Sequence, residues 1–182
     1  MNHDPGDHLA PVTFLPGATE RAPAEEAAAA RDVAVSALAA RSMSRREVER
    51  LLATRGVDEA TVAGELERLE RDGVLDDLAL AQTLVGTLQE RRKLGRAAIA
   101  AELTRRLLSP AAIEYGLELV DSSDELARAR ELAQKRVAQL RGYDRATAVR
   151  RLSGYLARRG YSGSAIRAAV EQALPSNTVR FS

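Results

Sequence analysis

The sequence has no cysteine, two histidines, and aromatic residues at only 3% of its 182 positions. Each shortage removes a class of chemistry. Without cysteine there are no disulfides, no thiolate metal sites and no cysteine nucleophile. His3 and His8 stand in a non-periodic opening stretch, MNHDPGDHLAPVTFLPG, where nothing fixes their geometry for metal or acid–base work. The opening stretch also lacks the basic start and apolar core of a signal peptide. No apolar run approaches the ~18 residues of a membrane span. Gly154 and Gly163 stand alone, and no Gly-x-x-x-x-Gly-Lys loop occurs to grip a phosphate. The chain is therefore expected to be a soluble cytoplasmic protein, not an enzyme, with no cofactor and no metal.

What is abundant is Ala, Leu, Arg and Glu, and charged residues make up 29%. These are strong helix formers, and β-branched residues are thinly spread. The formal net charge of +1 conceals an asymmetry. Residues 1–85 carry nine basic against sixteen acidic side chains, whereas residues 86–182 carry eighteen against ten. A basic half suggests an anionic partner, nucleic acid or an acidic protein groove. The competing reading is a solvated, arginine-rich helical surface.

Residues 55–62, RGVDEATV, and 159–166, RGYSGSAI, share an Arg-Gly pair, a short polar residue and a β-branched residue four positions beyond it. Extended without gaps, the match places Val48, Leu52, Arg55, Asp58, Val62 and Leu66 on Ile99, Leu103, Arg106, Ser109, Ile113 and Leu117. A third copy begins near Arg145 and brings Leu152, Leu156, Arg159, Gly160, Ser162, Ile166 and Val170 to the same places. A recurrence of apolar positions, a cap and an arginine marks a structural repeat.

Each copy reads as three helices. A long first helix is expected over 24–41, 77–92 and 124–141. Val48, Leu51 and Leu52, or Leu152, Tyr155 and Leu156, then share one face of the second by i, i+3, i+4 spacing. Ser44 and Glu47 form a capping box at its start. Gly56 and Gly160 sit where a left-handed residue ends it, and Leu107 takes that place in the middle copy. Asp58, Ser109 and Ser162 cap the third helix, with Pro110 in its first turn. Gly73 with Asp76, and SSDE at 122–125, supply the breaks between copies. Asp76 and Asp77 read as a cap and a dipole-favoured acid, not a catalytic pair. The fold class is all-α: an elongated tandem array of three three-helix repeats, over 24–75, 76–123 and 124–174. Residues 1–23 are expected to form a disordered tail and 175–182 a short C-terminal one.

The ordered set Gly95, Ile99, Glu102, Leu103, then Leu156, Arg159, Gly160, Tyr161, Ile166, resembles the bacterial regulatory protein RecX family. The junction Leu69, Gly73, Val74, Leu75, Asp76, Asp77 also resembles that family's passage from first to second repeat. The chain departs from the family pattern at Arg106-Leu107-Leu108, where Lys-Gly-Ile is usual, and at Leu78-Ala79-Leu80, where an aromatic is usual. The resemblance implies a non-enzymatic modulator of the RecA recombinase. Such proteins lie along the groove of the RecA–DNA filament and restrain its ATP hydrolysis, strand exchange and coprotease activity.

The residues expected to make those contacts are the basic clusters Arg91-Arg92-Lys93, Arg105-Arg106, Lys135-Arg136, Arg150-Arg151 and Arg158-Arg159. Arg45-Arg46 is a weaker candidate because acids surround it. The expected partners are RecA and its DNA filament, with weak DNA binding, no membrane and a monomeric chain. Tyr155 and Tyr161 align with Leu51 and Val57 and are read as core, so no base-stacking platform is expected. One rival reading is a helix-turn-helix-like DNA binder, although Ile113–Val120 carries no Arg, Asn or Gln to read bases. Another is a helical scaffold for a different protein.

Overall fold

The computed structural model describes residues 23–175, and every regular element among them is helical. The tail expected over 1–23 lies outside the described residues except for Pro23, as do His3 and His8. Of the C-terminal tail only Pro175 is described. None of the described helices is long and apolar enough to cross a membrane.

The elements fall in triplets: α1 (Pro23–Ala40), α2 (Arg45–Thr54), α3 (Glu59–Arg71); α4 (Asp77–Glu90), α5 (Arg96–Arg105), α6 (Pro110–Glu118); α7 (Ser122–Val137), α8 (Arg145–Arg158), α9 (Gly163–Ala173). The third long helix is shorter than the expected 124–141, because residues 138–140 tighten into a 3-10 turn. Extensive helix–helix packing is confined to each triplet. Buried apolar side chains accordingly form three clusters. One is built on Val48, Leu52, Leu66 and Leu69, one on Ile99 and Leu103, and one on Leu152 and Leu156. Burying each such side chain contributes about 1.5–3 kcal/mol, which only a continuous apolar stripe can collect. The i, i+4 pairs Val48/Leu52, Ile99/Leu103 and Leu152/Leu156 are all fully buried, so the second helix is the central strut of every triplet.

Local signals place the helix ends. The Ser44 hydroxyl accepts from Glu47 N–H while Glu47 returns to Ser44 N–H, a complete capping box. Asp58, Ser109 and Ser162 each accept from the backbone N–H three residues on, and Asp76 caps α4. At α7 the cap is Asp121, so the SSDE stretch is the first turn and not the cap. A carboxylate one residue earlier already satisfies the free N–H groups of Ser123 and Asp124.

The three aligned turn positions share one backbone conformation: Gly56 has φ +79°, Leu107 +56° and Gly160 +81°. Leu107 is half-buried and left-handed, so the middle repeat keeps the turn and carries the strain of a β-carbon there. Gly56 has open space around it, but a β-carbon on Gly160 would lie 2.2 Å from the Ala98 nitrogen. Gly56→Ala is expected to cost about 1 kcal/mol, the conformational penalty alone. Gly160→Ala should cost about 3 kcal/mol, since overpacking adds to it. Leu107→Gly should stabilise by about 0.5–1 kcal/mol by relieving strain. Urea melts of the three variants check this; equal losses at Gly56 and Gly160 would contradict the contact at Gly160.

Candidate filament and nucleic-acid interface

Two kinds of joint connect the triplets, and both use residues from the basic clusters. Between the second and third, main chain meets main chain. Gly95 N–H donates to Arg159 O at 2.8 Å and Ala97 N–H to Gly160 O at 3.1 Å. Gly95, like Gly160, has no room for a β-carbon, which would sit 2.6 Å from Gly160 O. The Tyr161 hydroxyl donates to Lys93 O at 2.8 Å, and burial pushes its pKa up to about 12, so it keeps the proton it donates. Arg159 Nη1 donates to Arg92 O at 2.6 Å. Glu125, itself buried, accepts from the free N–H of Arg96 at the start of α5. Lys93 adopts φ +50° at this joint.

Between the first and second triplets the joint runs through carboxylates. Arg106 donates to both oxygens of Glu47, at 3.0 and 3.1 Å, and to Ser42 O at 2.7 Å. Asp77 accepts from Arg45 N–H at 3.0 Å with one oxygen and from Ser109 N–H at 3.1 Å with the other. Burial alone would raise the Glu47 carboxyl, but the bonds from Arg106, from the Ser44 N–H and from Arg41 outweigh it and hold the group below its ordinary value. Sequence reasoning missed the linking roles of Asp77 and Glu125. The available signal was a carboxylate in the first turn of each long helix with no cap to make.

The remaining candidates divide by whether a carboxylate neutralises them. Arg92 and Arg105 both pair with Glu102, whose carboxyl is held low first by Arg105 and then by Arg92. In the first triplet Arg31, Arg41, Arg45 and Arg68 are paired with acids, whereas Arg46, Arg50, Arg55 and Arg71 form no salt bridge among the described residues. In the third, Lys135 pairs with Glu131 at 2.6 Å, but Arg136, Arg150, Arg151, Arg158 and Arg159 form no salt bridge among the described residues. Arg91, also without one, caps α4. Arg128 adds to this positive region, with Nε and Nη2 enclosed and lacking any hydrogen-bond partner among the described residues.

Geometry brings two of the clusters together, since Arg136 and Arg159 both lie against the Tyr155 ring; Arg92 and Lys93 meet Arg159 and Tyr161 across the second joint through their main-chain carbonyls. Arg151 of α8 lies over Tyr143, in the turn that precedes that helix. Arg105 and Arg106 are separate, at the first joint. No group of acidic or histidine side chains among the described residues could hold a metal ion.

Such a molecule is an all-helical repeat protein with several arginines at α7 and α8 that form no salt bridge among the described residues. Family models described as the second and third three-helix domains of RecX match residues 76–117 and 123–170. The chain is 34% identical over 142 residues to the regulatory protein RecX of Amycolatopsis mediterranei, covering 78% of this chain and 81% of the relative. It is 35% identical over 159 residues to that of Streptomyces coelicolor, covering 87% and 82%. The chain belongs to the RecX family. A crystal structure of RecX from Lactobacillus salivarius shares the fold with a TM-score of 0.78 at 18% identity, over 82% of this chain and 97% of that one.

Because Glu47 has a lowered value in the folded state, its contribution to stability is present above the ordinary glutamate value of 4.5 and is lost as pH falls through the lowered one. Arg106→Gln should therefore destabilise by about 1–3 kcal/mol at neutral pH. The gap from wild type should shrink at acid pH, below the ordinary glutamate value, as Glu47 protonates. Urea melts at both pH values test this; a gap independent of pH would remove Glu47 from the joint.

Proposed function

We propose that this chain is a non-enzymatic modulator of RecA that binds along the RecA–DNA filament in the cytoplasm as a monomer and restrains its ATPase, strand-exchange and coprotease activities. It would thereby act in recombination, DNA repair and the SOS response. Family membership supports a regulatory role, since the relatives are named regulatory proteins. The observation that carries the reading is the group Arg136, Arg150, Arg151, Arg158 and Arg159 at α7 and α8, none in a salt bridge among the described residues, set against a first triplet in which four of eight arginines already pair with acids. An unpaired surface cation keeps its charge available to a partner, whereas a paired one must first give up its acid. A tandem array suits a helical polymer, because weak contacts from successive repeats add through effective concentration.

The test is RecA ATPase on single-stranded DNA with this chain titrated in. Wild type should lower the rate, with an apparent affinity that falls as salt rises. Reversing Arg150, Arg151 and Arg158 to Glu should weaken the effect at least about tenfold, or about 1.4 kcal/mol, with helicity unchanged. Arg159 is left out because its guanidinium also closes the second joint. The same reversal at Arg45 and Arg46 should do less. Equal losses would show that the third repeat does not dominate, and no effect of wild type at micromolar concentration would reject RecA as the target.

A further inference from the structure

Tyr155 projects from the middle of α8, half-buried against the third core. Two guanidinium groups from different helices lie against its ring: Arg136 from the last turn of α7 at 5.2 Å, and Arg159 from the cap of α8 at 5.1 Å. Neither makes a salt bridge among the described residues. Two cations held around one ring repel each other, and the negative face of the ring offsets only part of that repulsion. Nothing among the described residues supplies the anion that would complete the group.

Both arginines keep donors in reserve. Arg159 spends one terminal nitrogen on Arg92 O, and Arg136 spends one on the Gln139 side chain. The others make no hydrogen bond among the described residues. One helical turn back along α8, Arg151 lies over Tyr143 at 4.2 Å, a second aromatic-held arginine. From Arg151 to Arg159 α8 thus displays cations over about 12 Å.

We propose that Arg136, Tyr155 and Arg159 form a phosphodiester-binding site, in which Tyr155 is a positioning residue that holds two guanidinium forks ready for the backbone of a DNA strand. The proposal deepens the reading above and rests on it only for the source of the DNA. Forked donors match phosphate oxygens two at a time, and holding them in advance lowers the entropy lost on binding. A row of cations along a helix fits a ligand with repeating negative charge better than an isolated carboxylate. With two guanidiniums against it, Tyr155 offers no open platform for a base, so recognition is of the backbone and independent of sequence. Arg159 also closes the joint between the second and third triplets, so the site exists only while that joint is shut.

The experiment measures binding of the full chain to a fluorescent oligothymidine by anisotropy, without RecA, over a range of salt. Wild type should bind with affinity that falls as salt rises. Tyr155→Phe should stay within about twofold of it, because the ring is kept. Tyr155→Leu, similar in bulk but without a ring, should bind about three- to fivefold more weakly at an unchanged melting temperature. Arg136→Gln, at an exposed position, should weaken binding and reduce the salt slope by about one. The site is overturned if wild type does not bind the oligonucleotide, or if Tyr155→Leu or Arg136→Gln binds as wild type does. It is equally overturned if polyglutamate of matched charge competes as well as unlabelled oligothymidine, which would point to an acidic protein segment. RecA ATPase separates the two claims. Tyr155-dependent DNA binding with no effect of wild type on RecA supports the site and removes the RecA reading. Suppression of RecA with no dependence of DNA binding on Tyr155 does the reverse.

Discussion

The third triplet is placed by a main-chain contact that tolerates no side chain. Gly160 must be left-handed to end α8 and bare to let Ala98 approach, and Gly95 must be bare to reach Gly160 O. Two backbone hydrogen bonds cross there, and the Tyr161 hydroxyl and the Arg159 guanidinium close over them. Backbone bonds between fixed peptide planes resist rotation far better than pairs of long side chains. The main-chain carbonyls of Arg92 and Lys93 are thereby held against Arg159 and Tyr161, while the Arg92 guanidinium turns to Glu102.

The first joint is chemically different. It depends on Glu47 and Asp77 meeting Arg106 and exposed helix N–H groups, with no backbone bond between the triplets. Glu47, Glu65, Glu70 and Glu102 are committed to arginines and Asp77 to helix starts, while Arg136, Arg150, Arg151, Arg158 and Arg159 meet no acid in a salt bridge among the described residues. The weak overall charge of the protein is a poor guide to its field, since basic and acidic side chains are unevenly divided along the chain.

Much of this was legible in the sequence because it is local. A capping box needs residues three apart, a left-handed turn favours glycine, and an apolar stripe repeats with the helix; each was visible at Ser44, Gly56 and Val48/Leu52. The repeat register followed, and the shared positive φ at Gly56, Leu107 and Gly160 supports it. Leu107 was foreseen as an anomaly, but only the structure shows that the turn prevailed over the side chain. The joints were illegible because their partners are about 30 to 70 residues apart. Arg106 and Arg159 looked like the other exposed arginines, and nothing in their neighbourhood reveals that they reach back to Ser42 and Arg92. Tyr155 was assigned to the core from its alignment with Leu51; it does pack there, but its ring also gathers two arginines that the alignment has no means of showing.

The most direct test is a cryo-electron microscopy reconstruction of this chain on a RecA filament formed on single-stranded DNA. The predicted result has α7 and α8 turned into the filament, with Arg150, Arg151 and Arg158 at its surface and the first triplet contributing fewer contacts. A chain docked through α1 to α3, with the arginines of α8 facing solvent, would contradict it.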